Sequence, residues 1–383
     1  MSRRAIQIIF YNNPDDYPPI INGVRMLAQA GWQVEILCRD SGKSWDVAYP
    51  TEANVVRIRL EGRSSWQEYL AFVARVMRHG SNHASLIYAH DMHALVPARM
   101  LATLYRRPLV YHSHDFADDS QKLPAGSRAV HAFQQKFART ADLVIIPDAD
   151  RAKVISCSLH LKQDPLIVAN APLNRPVPRS TALHQAISIR DQNFTKIMFR
   201  QGRIGIGHAI ESTMRSIPYW ANRHWGFVLM GVGESSYIEK LNRDARMLGI
   251  ERQFMVLPPV GYDQVKEFTP AANVGHALYD PIHINNVHIT TASNKIMEYM
   301  AAGLPLLVSD TPSLRALVEK HNCGITADEQ SPQSIAAAVN LLLGDSKHAR
   351  SIGASARRAF EENFCYDRQF AKVLGALDKL SCK

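Results

Sequence analysis

The sequence predicts an α/β protein of two doubly wound domains in tandem, each a parallel sheet with helices on both faces. Short apolar, β-branched runs alternate with longer stretches of helical spacing, the rhythm that produces parallel sheets. The rhythm begins afresh near residue 190, after a Pro-rich stretch of weak periodicity at 168–185. A chain of 383 residues also suits two cores, at roughly 100–200 residues per domain.

The first series of strands is predicted at 5–10, 33–38, 55–60, 85–89, 108–112 and 142–147, with Pro108 and Pro147 marking ends. The second is predicted at 195–200, 226–231, 253–257, 274–279 and 305–310. These series define domains at 1–170 and 191–362, joined by a linker at 171–190. In open α/β sheets ligands bind beyond the carboxyl ends of strands, so two such domains facing each other enclose an interdomain cleft, and the residues just after strands are the ones that matter.

Composition narrows the function. At 46% apolar and 21% charged residues the chain is globular, not disordered. It has no stretch of 18 uncharged apolar residues, and the apolar part of its opening, MSRRAIQIIFYNN, is too short for a secretion signal. A cytoplasmic location is therefore expected. Cys38, Cys157, Cys323, Cys365 and Cys382 are odd in number, dispersed and without a CxxC pair, which suits reduced thiols and not a disulfide framework or zinc site. The net charge of +9 permits an anionic partner, and six of the nine excess positive charges fall in residues 1–180. With no run of five basic residues and no zinc-finger or RNA-recognition signature, nucleic acid is not the expected partner.

The most informative stretch is TTASNKIMEYMAAGLPLLVSD at 290–310. Ser293 is placed to cap a helix that stops at Gly303 before a buried strand. Lys295 and Glu298, three apart, share a face near its amino end. Unpaired amides, the positive end of the dipole and a lysine together suit a diphosphate, and Glu298 suits a pair of ribose hydroxyls. The spacing alone favours an ordinary surface ion pair. Arg203, after a strand and a glycine, can fork onto a leaving diphosphate.

From Asn294 to Asp310 the chain resembles the signature of retaining glycosyltransferases of family 4, which have the GT-B fold of two facing Rossmann-like domains. Further pieces follow in the family's order: AHD (89–91), PLVYHSHD (108–115), GRIGIGHAIE (202–211), FVLMGVGE (227–234) and the tail NFCYDRQFAKVLGAL (363–377). The resemblance implies an acceptor-side domain at 1–170, a nucleotide-sugar donor domain at 191–362 and a final helix, 363–383, crossing back to the first domain. It implies a donor site of Glu298, Arg203, Lys295, Asn294, Ser293, Thr290, Gly231 and Gly233, with His114 orienting the sugar. His114, Arg203 and Lys295 are the catalytic candidates, and His90, Asp91 and Asp115 the acceptor-side ones. The loop at 258–262 is implied to read the base.

The chain departs from the family at three points. Thr290 stands where the fullest motif has its first glutamate. The second basic position of the opening loop falls near His208, which supplies charge only when protonated. In YNNPDDYPPIING (11–23) the first-domain glycine pair is reduced to Gly23.

Other readings compete locally. His112 and His114, two apart on an extended segment, point the same way and suggest a metal. The hydrolase pattern HxHxDH fails, however, at Phe116 and Ala117, so no metal or other cofactor is expected. GVGE (231–234) lacks the third glycine of a dinucleotide fingerprint, Ser236 standing there, and reads as a tight turn near the nucleotide. The helical stripe Trp66, Tyr69, Leu70, Val73, Val76 and Met77, with Arg63, Arg75 and Arg78, suits either a core-facing helix or peripheral contact with an anionic membrane at its inner face.

The expected function is retaining transfer of a hexosyl-type sugar from a nucleotide-diphosphate donor to a saccharide or lipid-linked acceptor, in bacterial cell-surface polysaccharide or glycolipid synthesis. The alternatives are a nucleotide-sugar epimerase or hydrolase on the same fold, and a non-catalytic scaffold.

Overall fold

The computed structural model describes residues 4–42, 45, 47–60, 64–115, 132–133, 135–178, 180–190 and 192–382. Arg63, Phe116 and Ala117 lie outside them. The chain divides into two compact units, one of Met1–Asn170 with Tyr366–Lys383 and the other of Ala171–Cys365. Residues 171–190, expected as a linker, group with the second unit. Leu183 and Ile187, four apart, give the helix Ala182–Ser188 a buried face there.

The first unit is built on seven parallel strands, β1 (Ala5–Phe10), β2 (Gln33–Arg39), β3 (Ala53–Ile58), β4 (Leu86–His90), β5 (Leu109–His112), β6 (Leu143–Ile146) and β7 (Leu166–Ile167). Their order is β3-β2-β1-β4-β5-β6-β7. Neighbours to one side of β1 precede those to the other, so the strand order reverses between β1 and β4, the place where doubly wound sheets open a crevice. In register, Phe10, His90 and His112 stand side by side at the carboxyl ends of β1, β4 and β5.

The second unit carries six parallel strands, β8 (Lys196–Gln201), β9 (Trp225–Met230), β10 (Phe254–Leu257), β11 (Val274–Ala277), β12 (Leu306–Ser309) and β13 (Gly324–Ala327). The order β10-β9-β8-β11-β12-β13 puts its reversal between β8 and β11. Its core packs Phe227 and Leu229 of β9 with Ile335 and Val339 of the helix Pro332–Gly344. The run predicted at 274–279 pairs only to Ala277, and Leu278 and Tyr279 turn out of the sheet.

Two helices bear on the sequence-based expectations. The helix Ser65–His79 is capped by Ser64, whose hydroxyl accepts from the Gln67 amide, and it buries Tyr69, Phe72 and Val76. Trp66 and Leu70, expected in the same stripe, are instead about half exposed, at 45% and 50%. The last helix, Tyr366–Ser381, belongs to the first unit, where it lies against the helix Pro18–Gln29. Tyr366 donates to the Pro19 carbonyl at 2.9 Å, and a Cβ at Gly23 would stand 3.1 Å from the same phenol. Gly23 is thus explained by helix packing.

The loop after β1 replaces the missing glycine pair with a side-chain scaffold. Asn13 caps the turn Pro14–Asp16 through the Asp15 amide. Arg57 of β3 donates to Asn13 Oδ1 and to both oxygens of buried Asp15, at 2.8–3.0 Å. Tyr49 donates to Asp15 as well.

Candidate functional site

Both units gather polar side chains at the strand-order reversal, but of different character. In the second unit β8 ends in Arg200 and Gln201, and the chain turns through residues 202–209 into the helix Ile210–Ser216. Gly202 and Gly207 adopt left-handed backbone, at φ 90° and 87°, and so does Ala209, at 49°. Two glycines after β9 let the next loop close on this turn. A Cβ on Gly231 would sit 1.7 Å from the Gly202 carbonyl oxygen, and one on Gly233 would sit 2.7 Å from that of Ile204. Gly202 donates to the Met230 carbonyl and Ile204 to that of Val232. The pair expected near a nucleotide is accounted for by this close backbone approach.

The helix Asn294–Ala301 delivers the predicted motif to the same strand end. Ser293 caps it, accepting from the Ile296 amide and bonding the Tyr279 phenol at 2.8 Å. Lys295 and Glu298 reach back to the sheet instead of forming the i, i+3 ion pair. The Glu298 carboxylate accepts from the buried Gln201 amide. Lys295 Nζ lies 5.4 Å from the Tyr279 ring centroid, and its Cε is 3.7 Å from where a Gly202 Cβ would be. Arg203 is exposed on the turn beside Gly202. Asn294 Oδ1, at the first residue of the helix, has no partner, and Thr290 lies buried just ahead of the cap.

Burial sets the electrostatics. It pushes the Glu298 carboxyl up to about 7, against the opposing pull of Gln201 and Lys295. It lowers the Lys295 ammonium, helped by Arg200 and opposed by Tyr279 and Glu298. His208 is held far below its usual range by burial and by Arg200, Lys295 and Arg203, so it is a neutral imidazole and adds no cation here. Sequence reasoning missed Arg200, Gln201, His276 and Tyr279. The only signal was a charged and a polar residue closing an otherwise apolar strand, KIMFRQ.

In the first unit His90, His112 and His114 are buried together, with ring nitrogens within 4.8 Å of one another. His90 and His114 lie edge to edge, ring planes 3° apart, with Nδ1 of one 2.8 Å from Nε2 of the other. His114 Nδ1 is 3.2 Å from the Asn170 side-chain oxygen, Oδ1. With that oxygen accepting, His114 Nε2 accepts in turn from His90, giving a hydrogen-bonded chain of fixed tautomers. A tetrahedral cation held at about 2.0–2.1 Å by each ring would require nitrogens roughly 3.3 Å apart. Head-on rings at 2.8 Å are a hydrogen bond, so His90 Nδ1 and His114 Nε2 stand closer than two ligands of one tetrahedral cation would. Burial, and then the neighbouring His114, holds His90 and His112 well below the usual imidazole range.

Asp91 starts the helix Asp91–Leu104 with left-handed backbone, φ 62°, rare for a residue with a side chain. Its carboxylate accepts from the His114 amide at 2.8 Å. Asp115 is exposed, 3.5 Å from buried Arg151, which also donates to the His114 carbonyl. The predicted residues His90, Asp91, His114 and Asp115 thus form one cluster. His114 itself is only 4% exposed, and its Nε2 becomes available to a sugar hydroxyl only by giving up His90.

Comparison with known proteins agrees with this division. Residues 22–168 match the Glycosyl transferase 4-like domain family and residues 196–345 the Glycosyl transferases group 1 family. An uncharacterized glycosyltransferase of Methanocaldococcus jannaschii is 23% identical over 342 residues, covering 82% of this chain and 81% of that one. Among solved structures, Anabaena HepE in complex with UDP and glucose superposes with a TM-score of 0.73 at 16% identity, covering 98% of this chain and all of that one. Sucrose-phosphate synthase from Thermosynechococcus elongatus gives 0.76 at 15% identity, with 99% of each chain covered. WaaG, a glycosyltransferase involved in lipopolysaccharide biosynthesis, gives 0.69 at 14%, covering 96% and 99%. With two parallel α/β units and these two domain families in this order, the chain belongs to the GT-B glycosyltransferases of the family 1/4 type.

Proposed function

We propose that the protein is a retaining glycosyltransferase that takes a hexosyl-type sugar from a nucleotide-diphosphate donor. One observation carries this reading: Lys295, Glu298 and the Arg203 turn converge on the β8 end of the second unit, each of the first two reaching the sheet and not the other. In retaining transfer negative charge develops on the departing diphosphate, and preorganised cations serve it better than a strong base. Arg203 and Lys295, with the amino end of the helix Asn294–Ala301 at Ser293 and Asn294, supply that charge from side chains and backbone, so the reading calls for no metal ion. Glu298, once ionised, accepts from the ribose hydroxyls.

Support for the donor class comes from Anabaena HepE, which is known in complexes with UDP and with UDP-glucose. The acceptor is assigned to the first unit, beside His90, Asp91, His114 and Asp115, with His114 orienting the sugar through its Nε2. A saccharide or lipid-linked acceptor of cell-surface synthesis fits the outward Trp66 and Leu70 on a helix that also carries exposed Arg75 and Arg78, a composition that suits an anionic membrane surface. No described helix is long and apolar enough to cross a membrane.

The test is a thermal-shift screen against nucleoside diphosphates and nucleotide sugars, because a ligand of the folded state raises the melting point by mass action. At least one nucleoside diphosphate should do so, and the product formed with acceptor should keep the anomeric configuration of the donor sugar. Inversion, or release of free sugar alone in the presence of every acceptor class, contradicts the proposal.

A further inference from the structure

Arg200 closes β8 and is fully buried, 0% exposed, yet it forms no ion pair among the described residues. Nη1 donates to His276 Nδ1 at 3.1 Å and to the Leu278 carbonyl at 3.3 Å, while Nε and Nη2 have no partner among the described residues. An unpaired buried guanidinium is costly, and a strand of Ile197, Met198 and Phe199 would accept an apolar residue there.

Two lines of contact run from it to opposite sides of the candidate donor site. Its Cζ lies 5.4 Å from the Tyr279 ring centroid, the same distance at which Lys295 Nζ meets that ring. Tyr279 in turn bonds Ser293, the cap of the helix carrying Lys295 and Glu298. On the other line, His276 Nε2 donates to Thr213 Oγ1 at 2.9 Å, because that hydroxyl itself donates to the Ala209 carbonyl at 2.7 Å. Ala209 is the left-handed residue that ends the turn bearing Arg203 and His208.

We propose that Arg200 is a positioning residue of the donor site: from behind Tyr279 it fixes the ring on which Lys295 rests, and through His276 and Thr213 it fixes the end of the 202–209 turn. The proposal rests on reading the second unit as the diphosphate site. Arg200 itself touches no ligand. Its charge also bears on Lys295, whose other charged or titratable neighbours are Tyr279, Glu298, His208 and His276, with Arg203 acting on His208 in turn. Tyr279 and Glu298 favour the ammonium, whereas burial and Arg200 disfavour it, and His208 and His276 are neutral. Removing the Arg200 charge should therefore move the alkaline limit of diphosphate binding to higher pH even as affinity falls.

Calorimetric titration of the full chain with UDP, GDP and ADP between pH 6.5 and 9.5 tests this in Arg200→Gln and Arg200→Lys. Gln keeps a donor for His276 without the charge, and Lys keeps the charge without the fork. For Arg200→Gln we expect about 10-fold weaker binding at pH 7 and an alkaline fall-off moved upward, with Arg200→Lys recovering the wild-type fall-off. Arg200→Gln binding like wild type with the same pH profile overturns the role of Arg200 alone. Equal losses in both variants with an unmoved profile overturn it too, in favour of a merely structural residue. If Arg200→Gln does not fold, Arg200→Lys decides: weaker binding with a wild-type fall-off, from the lost fork with the charge kept, supports the proposal, and wild-type affinity or a displaced fall-off overturns it. A wild-type chain that binds none of the three nucleotides overturns the donor-site reading first, and this role with it.

Discussion

The two units share a sheet design and a place for chemistry, but fill that place with opposite electrostatics. At the β1/β4 reversal stand His90 and His112, held well below the usual imidazole range by burial, with His90 chained through His114 to Asn170. At the β8/β11 reversal stand Arg200 and Lys295 around one tyrosine, with Arg203 exposed on the turn after β8 and a carboxyl raised to about 7. The loops differ likewise. The second unit's turn depends on glycines that let backbones touch, and the first unit's loop on Asn13, Asp15 and Arg57. The same fold thus carries a cluster of cations and a carboxyl at one reversal and buried, hydrogen-bonded imidazoles at the other. The difference lies in the residues that follow the strands.

If that contrast is real, Lys295→Ala and Arg203→Ala should each weaken nucleoside diphosphate binding about 10–100-fold, the loss of a charge-assisted contact. His114→Ala should leave it within about 2-fold while lowering transfer by a factor on the order of 10–100. Calorimetry and a transfer assay on the same preparations check both. The loops separate next. Gly231→Ala should cost about 3 kcal/mol in chemical denaturation, because its Cβ would fall on the Gly202 carbonyl. Arg57→Ala should cost about 1–3 kcal/mol, for a buried carboxylate left short of partners.

Acid and base behaviour sharpens the contrast further. Glu298 has a folded pKa above its unfolded value, so the folded state holds the extra proton and stability falls as pH rises from about 4.5 through about 7. Glu298→Gln should relieve up to about 3 kcal/mol of that loss at pH 8, seen as a flatter stability profile in urea. The first unit behaves in the opposite sense. Its buried His90 and His112 have folded pKa values below the unfolded one, so the unfolded chain takes up protons first and stability falls as pH drops below about 6.5. Each contributes up to about 1.4 kcal/mol per pH unit, and His90→Phe should lessen the slope.

Much of the fold was legible because parallel strands buried on both faces read as apolar runs, so β1, β2, β4, β5, β6, β8, β9, β10 and β12 fall within a residue of their predicted places. β7 has two residues, and β13 mixes Gly324 and Thr326 into its four, so neither made a run long enough to read. Within the site, the Ser293 cap and the helix behind it were legible from local chemistry. Their partners were not. Gln201 meets Glu298 across 97 positions through the packing of the helix Asn294–Ala301 at the end of β8, and Arg200 meets His276 across 76 because β8 pairs with β11. His90 likewise joins His112 and His114 because β4 and β5 pair in register. His208 remained open in the sequence because its protonation depends on burial and on three cations placed by the fold.

The most direct test of this division is calorimetric titration of wild type, Lys295→Ala, Glu298→Ala and His114→Ala with the same panel of nucleoside diphosphates. The account predicts that wild type binds at least one of them, that Lys295→Ala and Glu298→Ala each bind it at least about 10-fold more weakly, and that His114→Ala binds it as wild type does. Undiminished binding by the Lys295 and Glu298 variants, or an equal loss on removing His114, would contradict it.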